Sequence, residues 1–537
     1  MTVPGAAACG NLERAGPKKQ QRMKSGFPFP APAPCRFPPA LTSMRPICKL
    51  DILNRTLCLA LLWAAGCAVG PNFKRPAPPS ATSYTPAPVQ TTSSTPKVAA
   101  GQAQQFVEGL AIPEKWWALF GSKPLNDLIE RSFTNSPNLA AARAALTAAH
   151  ENMLAQRGAF YPSIAGSFSA SRQKQSQLLA PTPNANIFQY DLFTPQLSVS
   201  YVPDVFGLTR RTVESYTAQE QGVRFQMIAT YLTLSANVVV AAIQEASLRD
   251  QVETTRQLIG LSSNMLQIVR FQLDMGSASG LDVAAQESQL EQVTATLPPL
   301  LKQLAQQRDL LAVLAGDFPN RQQGETFDLE KLQLPQRIPV SLPAKLVDQR
   351  PDVLQAEANL HAASAQIGIA IANRLPNITL SADTGSTALA LDQVFSSGTG
   401  FWGIGASLAQ PIFQGGALLH LERAAKAAYV EAAQQYRSTV LTACQNVADA
   451  LTTLEQDAAA LKSAAAAAAA AKVTLDLSQQ QWRVGYGAYL ALLLAEQTYQ
   501  QARINLVQAQ ANRLSDTAAL FQALGGGWWN RPDLKQK

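Results

Sequence analysis

Charged residues are scarce in this chain. Asp, Glu, Lys and Arg make up 15% of its 537 residues, against roughly 25% in an average soluble protein. A polar surface must therefore be drawn mostly from Gln, Ser, Thr and Asn. The formal charge of +7 suggests an acidic partner only until it is located. Residues 1–66 hold nine Lys/Arg and two Asp/Glu, and from residue 67 onward there are 35 of each sign. The body is neutral, so nucleic-acid binding lacks the basic face it requires.

Cysteine and histidine are scarcer still. Five of the six cysteines (Cys9, Cys35, Cys48, Cys58, Cys67) lie at or before residue 67, and Cys444 stands alone in a helical stretch. Neither a disulfide framework nor a zinc spacing fits the body. His150, His361 and His420 are far apart and read as helix-surface residues, so neither a metal nor a cofactor is indicated. There is no Gly-x-Ser-x-Gly, no phosphate-binding glycine loop before a helix and no carboxylate pair that spacing forces together. The chain does not read as an enzyme.

Proline is absent where its absence says most. Leu208 to Met275 is a run of 68 residues without proline and with two internal glycines. Tyr231, Leu234, Val238, Ala241, Leu248, Val252, Ile259, Leu266 and Val269 follow a 3-4 spacing, with Glu245, Thr255 and Ser262 in the intervening slots. That is the period of a coiled-coil helix, and at about 1.5 Å per residue it would be roughly 100 Å long.

Before it, residues 1–43 are Pro-rich and basic and read as a non-structural extension or a misassigned start. Residues 44–66 form a secretion signal, with a basic n-region (Arg45, Lys49, Arg55), an apolar Leu57–Ala65 and small residues before Cys67. About nine apolar residues cannot cross a hydrocarbon core that needs about 20, so cleavage before Cys67 with lipid on its sulfur is expected rather than a membrane anchor. Ala64 stands where bacterial lipoboxes usually carry Leu. Residues 67–109, rich in Pro, Ser, Thr and Ala, read as an extended tether or wrap. The run Cys67-Ala-Val-Gly-Pro-Asn-Phe-Lys-Arg-Pro resembles the mature start of lipoprotein members of the TolC-like outer-membrane efflux family, the outer membrane factors.

The body repeats itself. Ser136-Pro137-Asn138-Leu139 and Arg350-Pro351-Asp352-Val353 each open a helix, 214 residues apart; Gly276 and Gly485, and Gly316 and Gly525, are 209 apart. The expected domains are residues 110–325 and 326–527, followed by a tail at 528–537. This duplication is also the family's plan.

Each copy carries two short alternating segments, Pro162–Ser171 with Thr194–Val202 and Pro376–Gly385 with Phe401–Gln410. Ile164 and Phe168, Leu197 with Val199 and Tyr201, Ile378 and Leu380, and Trp402 with Ile404 and Leu408 each fall on one face. About ten residues suits a membrane-spanning strand. Phe160, Tyr161, Phe193, Phe206, Phe401 and Phe413 gather near the strand ends like an interfacial girdle. Four strands cannot close a barrel, so the chain must oligomerise; a dimer with eight strands and a trimer both satisfy the pattern. The resemblance implies the homotrimer, with twelve strands.

The helix at Leu208–Met275 has a twin at Ala417–Val484, of equal length. Each is expected to turn at glycine and return, giving a mainly α fold of antiparallel coiled-coil hairpins joined to a membrane β-barrel. Pro298-Pro299 should kink or break the first return helix. The second should keep a seam through Leu490, Leu493, Gln497, Gln500, Ile504, Val507, Ala511, Leu514, Ala518 and Phe521. Ala464–Ala471 should let helices approach closely.

The resemblance implies the exit duct of a tripartite efflux system in the outer membrane of a Gram-negative bacterium. Its implied partners are a periplasmic adaptor (membrane fusion) protein, an inner-membrane RND-type transporter and outer-membrane lipid. It places adaptor contacts at Leu273, Asp274, Met275 and Gly276 and at Arg483, Val484, Gly485 and Tyr486. It places the closed periplasmic aperture near Ala491 and Leu494, where acids often face the pore; the nearest acid of this chain is Glu496, and a hydrophobic constriction is the alternative to an acidic, cation-binding aperture. Protein or signal-molecule secretion uses the same architecture, and a pore-free periplasmic scaffold lipoprotein is the alternative from another class.

Overall fold

The structure is a computed structural model. It describes residues 68–87, 89–174, 176, 189–321, 326–484 and 486–535, all within one unit, Trp63–Lys537. The secretion signal and Cys67 lie outside the described residues.

In chain order the elements are β1 (Gln105–Glu108), α1 (Lys123–Asn135), α2 (Pro137–Arg157), β2 (Ser163–Lys174), β3 (Gln189–Tyr201), α3 (Leu208–Asp274) and α4 (Gly280–Leu314). They continue with β4 (Arg337–Val340), α5 (Pro343–Gln349), α6 (Pro351–Ala372), β5 (Asn377–Ser386), β6 (Gly400–Ala409), α7 (Ala417–Arg483), α8 (Tyr489–Ala523) and a short α9 (Pro532–Lys535). The two long helices have 67 residues each and the two return helices 35 each. Met275 and Val484, expected as last helical residues, are the caps that follow. The strands of the first hairpin run further than expected, taking residues from both ends of the expected loop.

Local chemistry sets the starts. Ser122 and Ser136 accept hydrogen bonds from the amides of Leu125 and Leu139, each with proline in the first turn. Gly207 and Gly416 precede α3 and α7 in the left-handed region at φ 83° and 82°. An L side chain is strained there, so glycine makes the sharp strand-to-helix turn in both copies.

The seam expected on α3 is buried, or half-buried at Leu234 and Ile259. Its polar slots are filled by specific partners: Glu245 accepts from Arg308 and the Phe327 amide, and Ser262 accepts from Gln286. The α8 seam departs from expectation. It is buried from Val507 to Phe521, but nearer the turn the buried line is Leu492, Ala495, Ala502 and Leu506, leaving Leu490 and Gln497 exposed. Ala468 and Ala471 pack on Ala502 and Leu506, as small residues permit. Helix α4 runs unbroken through Pro298 and Pro299. Both prolines lie on the exposed side, where water can satisfy the carbonyls that their missing amides release.

Residues 68–87 and 89–109 form a strap bound along the body. The Val69 amide donates to Phe206 O at 3.0 Å, and β1 pairs in parallel with β4 of the second copy, a two-stranded sheet the sequence did not suggest. Two buried arginines hold the strap. Arg211 donates to Val69 O, Gly70 O and Asn72 Oδ1; Arg513 donates to Thr92 Oγ1, Ala100 O and Gln102 O. His150 and His420 lie exposed on helices as expected, His150 pairing with Glu220 at 2.8 Å, whereas His361 is half-buried, reaches Glu214 at 3.0 Å and stacks on Phe73 of the strap.

Candidate functional site

The four long strands form one antiparallel sheet in the order β2-β3-β5-β6. Its register sorts the side chains. Ile164 opposes Val199, Phe168 opposes Pro195, Leu197 opposes Thr384, Leu380 opposes Tyr201, Ile378 opposes Leu408 and Ala382 opposes Ile404. One face therefore carries Ile164, Phe168, Leu197, Val199, Tyr201, Ile378, Leu380, Trp402, Ile404 and Leu408. The opposite face carries Ser163, Ser167, Ser169, Gln196, Ser198, Ser200, Thr379, Ser381, Asp383 and Gly403. The apolar face is exposed in the protomer, with Trp402, Ile404 and Leu408 each more than two-thirds bare. A soluble protein would not leave such a face in water, and in lipid it is the outer wall of a barrel whose other face is wet. Phe401 departs from the expected girdle: its parity puts it on the polar face, where it lies against Gly385.

Strands β2 and β6 have no partner on their outer edges among the described residues, which hydrocarbon does not tolerate. The helices repeat this arrangement. Helix α3 packs against α2, α4, α6 and α8, whereas α7 packs against α6 and α8, with lesser contact to α5, and has no long helix on its other flank among the described residues. The neighbour order is thus α2-α3-α6-α7 nearer the strands and α4-α3-α8-α7 nearer the turns, with the same two open sides as the sheet. Strands and helices need the same remedy, another copy whose β6 and α7 meet this copy's β2 and α2/α4.

The helical turns lie at the opposite end from the sheet. Leu273, Asp274, Met275 and Gly276 are exposed in the first, as are Arg483, Val484 and Tyr486 in the second; Gly485 lies outside the described residues. Tyr486 is 92% exposed. The first turn is capped reciprocally: Ser279 Oγ accepts from the Asp282 amide and Asp282 Oδ2 accepts from the Ser279 amide at 2.8 Å. The Ser279 amide and hydroxyl, both donating to Asp282 Oδ2, hold that carboxyl below its ordinary pKa. The second turn has no such cap; the Tyr486 and Gly487 amides both donate to Gln481 O.

Ala491 and Leu494 are exposed one helical turn apart on α8, while Glu496 points inward and is only 9% exposed. Leu258, Ser262, Gln289, Leu475 and Gln479, from α3, α4 and α7, wall it in. Its carboxylate oxygens make no well-formed hydrogen bond, and burial, partly offset by the neighbouring Gln286 amide, pushes its pKa up to about 6. Beside it the Tyr489 hydroxyl donates to Gln286, whose amide is already committed to Ser262. Sequence reasoning missed this pocket, because burial of a lone glutamate is not encoded in its neighbours along the chain.

A sheet with a lipid face and a wet face, open at both edges and continued by paired helices of equal reach, defines a membrane channel that is complete only as an oligomer. The sequence matches the outer membrane efflux protein family over residues 128–317 and 342–526, and the chain belongs to that family. It is an outer-membrane efflux channel whose barrel closes in a trimer. Among relatives, it is 29% identical to the pyoverdine export outer membrane protein OpmQ of Pseudomonas aeruginosa, over 77% of this chain and 87% of OpmQ. It is 26% identical to the toluene efflux pump outer membrane protein TtgC of Pseudomonas putida, over 89% and 96%. Among solved structures, the outer-membrane channel OprN superposes with a TM-score of 0.77 at 25% identity, covering 86% of this chain and all of OprN. The outer membrane protein VceC of Vibrio cholerae gives 0.72 at 27%, covering 77% and 99%.

Proposed function

We propose that the trimer is the passive exit duct of a tripartite pump. An RND-type inner-membrane transporter supplies the energy and a periplasmic adaptor seals the joint. The observation that carries this reading is the direct run of each wet-lumen hairpin into a 67-residue helix, about 100 Å long by helix geometry. The cargo is proposed to be small molecules, because relatives as different as pyoverdine, toluene and antibiotic exporters share this architecture. The test is a heat-resistant trimer on a gel together with ion conductance in planar bilayers. A monomeric, non-conducting protein would support a periplasmic scaffold instead.

Three local assignments belong to the same proposal. Cys67 carries lipid: Val69, two residues on, is held at Phe206 beside the base of the sheet, where an acyl chain would enter the bilayer. Mass spectrometry of the mature N-terminus checks this, and an intact residue 50 would sink it. The exposed turns around Met275 and Tyr486 receive the adaptor, and crosslinks from those positions to the adaptor in whole cells are expected. Ala491 and Leu494 form a hydrophobic constriction, with Leu494 54% exposed in the protomer. Leu494→Ser should raise the conductance of the reconstituted channel, and no change would remove the constriction from this site.

A further inference from the structure

The polar face of the barrel sheet carries one charged residue on its described strands, Asp383. Ser198 lies across from it on β3 and Gly403 on β6. The carboxylate lies over the bare Gly403 backbone, since a Cβ there would stand 3.0 Å from Asp383 Oδ1. Gly405, next along the same face, is also bare. The duplicated hairpin solves the same position differently: its cross-strand pair Ser169–Thr194 occupies the place of Asp383–Gly403. No ion pair or side-chain hydrogen bond holds the Asp383 carboxylate among the described residues. It is a free charge on the lumen wall, in a clearing made by glycine.

We propose that the three Asp383 carboxylates of the trimer form a ring that enriches cations in the barrel lumen and sets the channel's preference for cationic solutes at its outer end. The reading rests on the trimeric channel and on the polar face being the lumen. Twelve strands spaced about 4.8 Å apart and tilted about 40° give a wall about 12 Å from the axis, leaving each carboxylate about 9 Å from it. That is close to the Debye length at 0.1 M salt, about 10 Å. Three such charges would enrich a monovalent cation at the axis about threefold at 0.1 M, and more in dilute salt. Acidic rings of this kind select cations in other pores.

The test is the reversal potential of the full-length trimer in planar bilayers under a potassium chloride gradient at and below 0.1 M. The wild type should prefer potassium, Asp383→Asn should lose most of that preference, and Asp383→Lys should favour chloride. Adding Ser381→Asp to Asp383→Asn returns a carboxylate to the same face two residues away and should restore the preference. Unchanged selectivity in a conducting Asp383→Asn trimer would overturn the ring and leave the channel standing. A wild-type trimer that does not conduct would instead overturn the channel reading.

Discussion

The two repeats have long and return helices of identical length, 67 and 35 residues, but different interiors. Helix α3 buries 27 of its 67 residues in the protomer and α7 only 12. The difference is position: α3 has helices of its own chain on both flanks and keeps one stripe, with Val240 and Leu261, exposed, whereas α7 stands at an open edge and keeps Leu421, Val430, Leu441, Val473 and Leu477 exposed. The duplication fixed reach, and place in the ring then decided which seam positions became core. Individual sites have diverged accordingly. The fully buried Glu245, paired with Arg308, corresponds to Leu454 opposite Thr517 in the second copy, 209 residues on. Arg513, gripping the strap, corresponds to Leu304 packed on Leu248 and Val252. The exposed pair Arg270–Glu287 corresponds to Gln479 and the orphaned Glu496.

Exchanging these solutions between repeats tests whether the differences carry weight. The largest effect is expected from Arg513→Leu, which imports the first repeat's residue and strands three strap acceptors and the nearby Asp457 carboxylate. A loss of about 5 kcal/mol in trimer stability is expected, with new proteolytic cuts between residues 92 and 104. Wild-type melting and an uncut strap would show that the strap is held elsewhere.

Glu245→Leu should cost about 3 kcal/mol, because it leaves the Arg308 guanidinium and the Phe327 amide without their acceptor. Adding Arg308→Thr, which completes the second repeat's version, should recover about half of the loss. Denaturant melts of the two variants decide the point: a double variant no better than the single would mean the ion pair is not the reason for the cost.

The Glu496 pocket predicts a pH dependence. Its pKa is raised, from 4.5 in the unfolded chain to about 6, so the native state holds the proton more tightly. Its contribution is undiminished below pH 4.5 and is lost as pH rises through 6, by about 2 kcal/mol. Asp250 and Asp457, raised to about 6 and about 7 by burial, tilt the profile the same way. The informative quantity is therefore the difference between wild type and Glu496→Gln, which should grow between pH 4.5 and 6 and then level off. Gln479→Arg, restoring the first repeat's partner, should flatten the same step. Parallel profiles for wild type and Glu496→Gln would remove Glu496 as the source. The smallest effect, about 1 kcal/mol, is expected from Ser279→Ala, which deletes the cap that only the first turn has; unchanged hydrogen exchange at residues 280–283 would show that the cap contributes nothing.

By itself the sequence determined the elements. A 3-4 spacing without proline, alternation over about ten residues and glycine at fixed places are local signals, and they placed both long helices to within one residue and the lipid-facing side of every strand. Grouping aromatics by their nearness to strand ends ignores parity: alternation with Trp402, Ile404 and Leu408 already sets Phe401 on the wet face, as the register shows. Paired prolines announce a lost hydrogen bond, but whether a helix breaks depends on water reaching the freed carbonyls, which only burial reveals. The strap's partners, the shift of the α8 seam near its turn and the walls that α3 and α4 set around Glu496 depend on residues far away along the chain. Those were decided by tertiary structure, because contacts between distant segments leave no period in the chain that makes them.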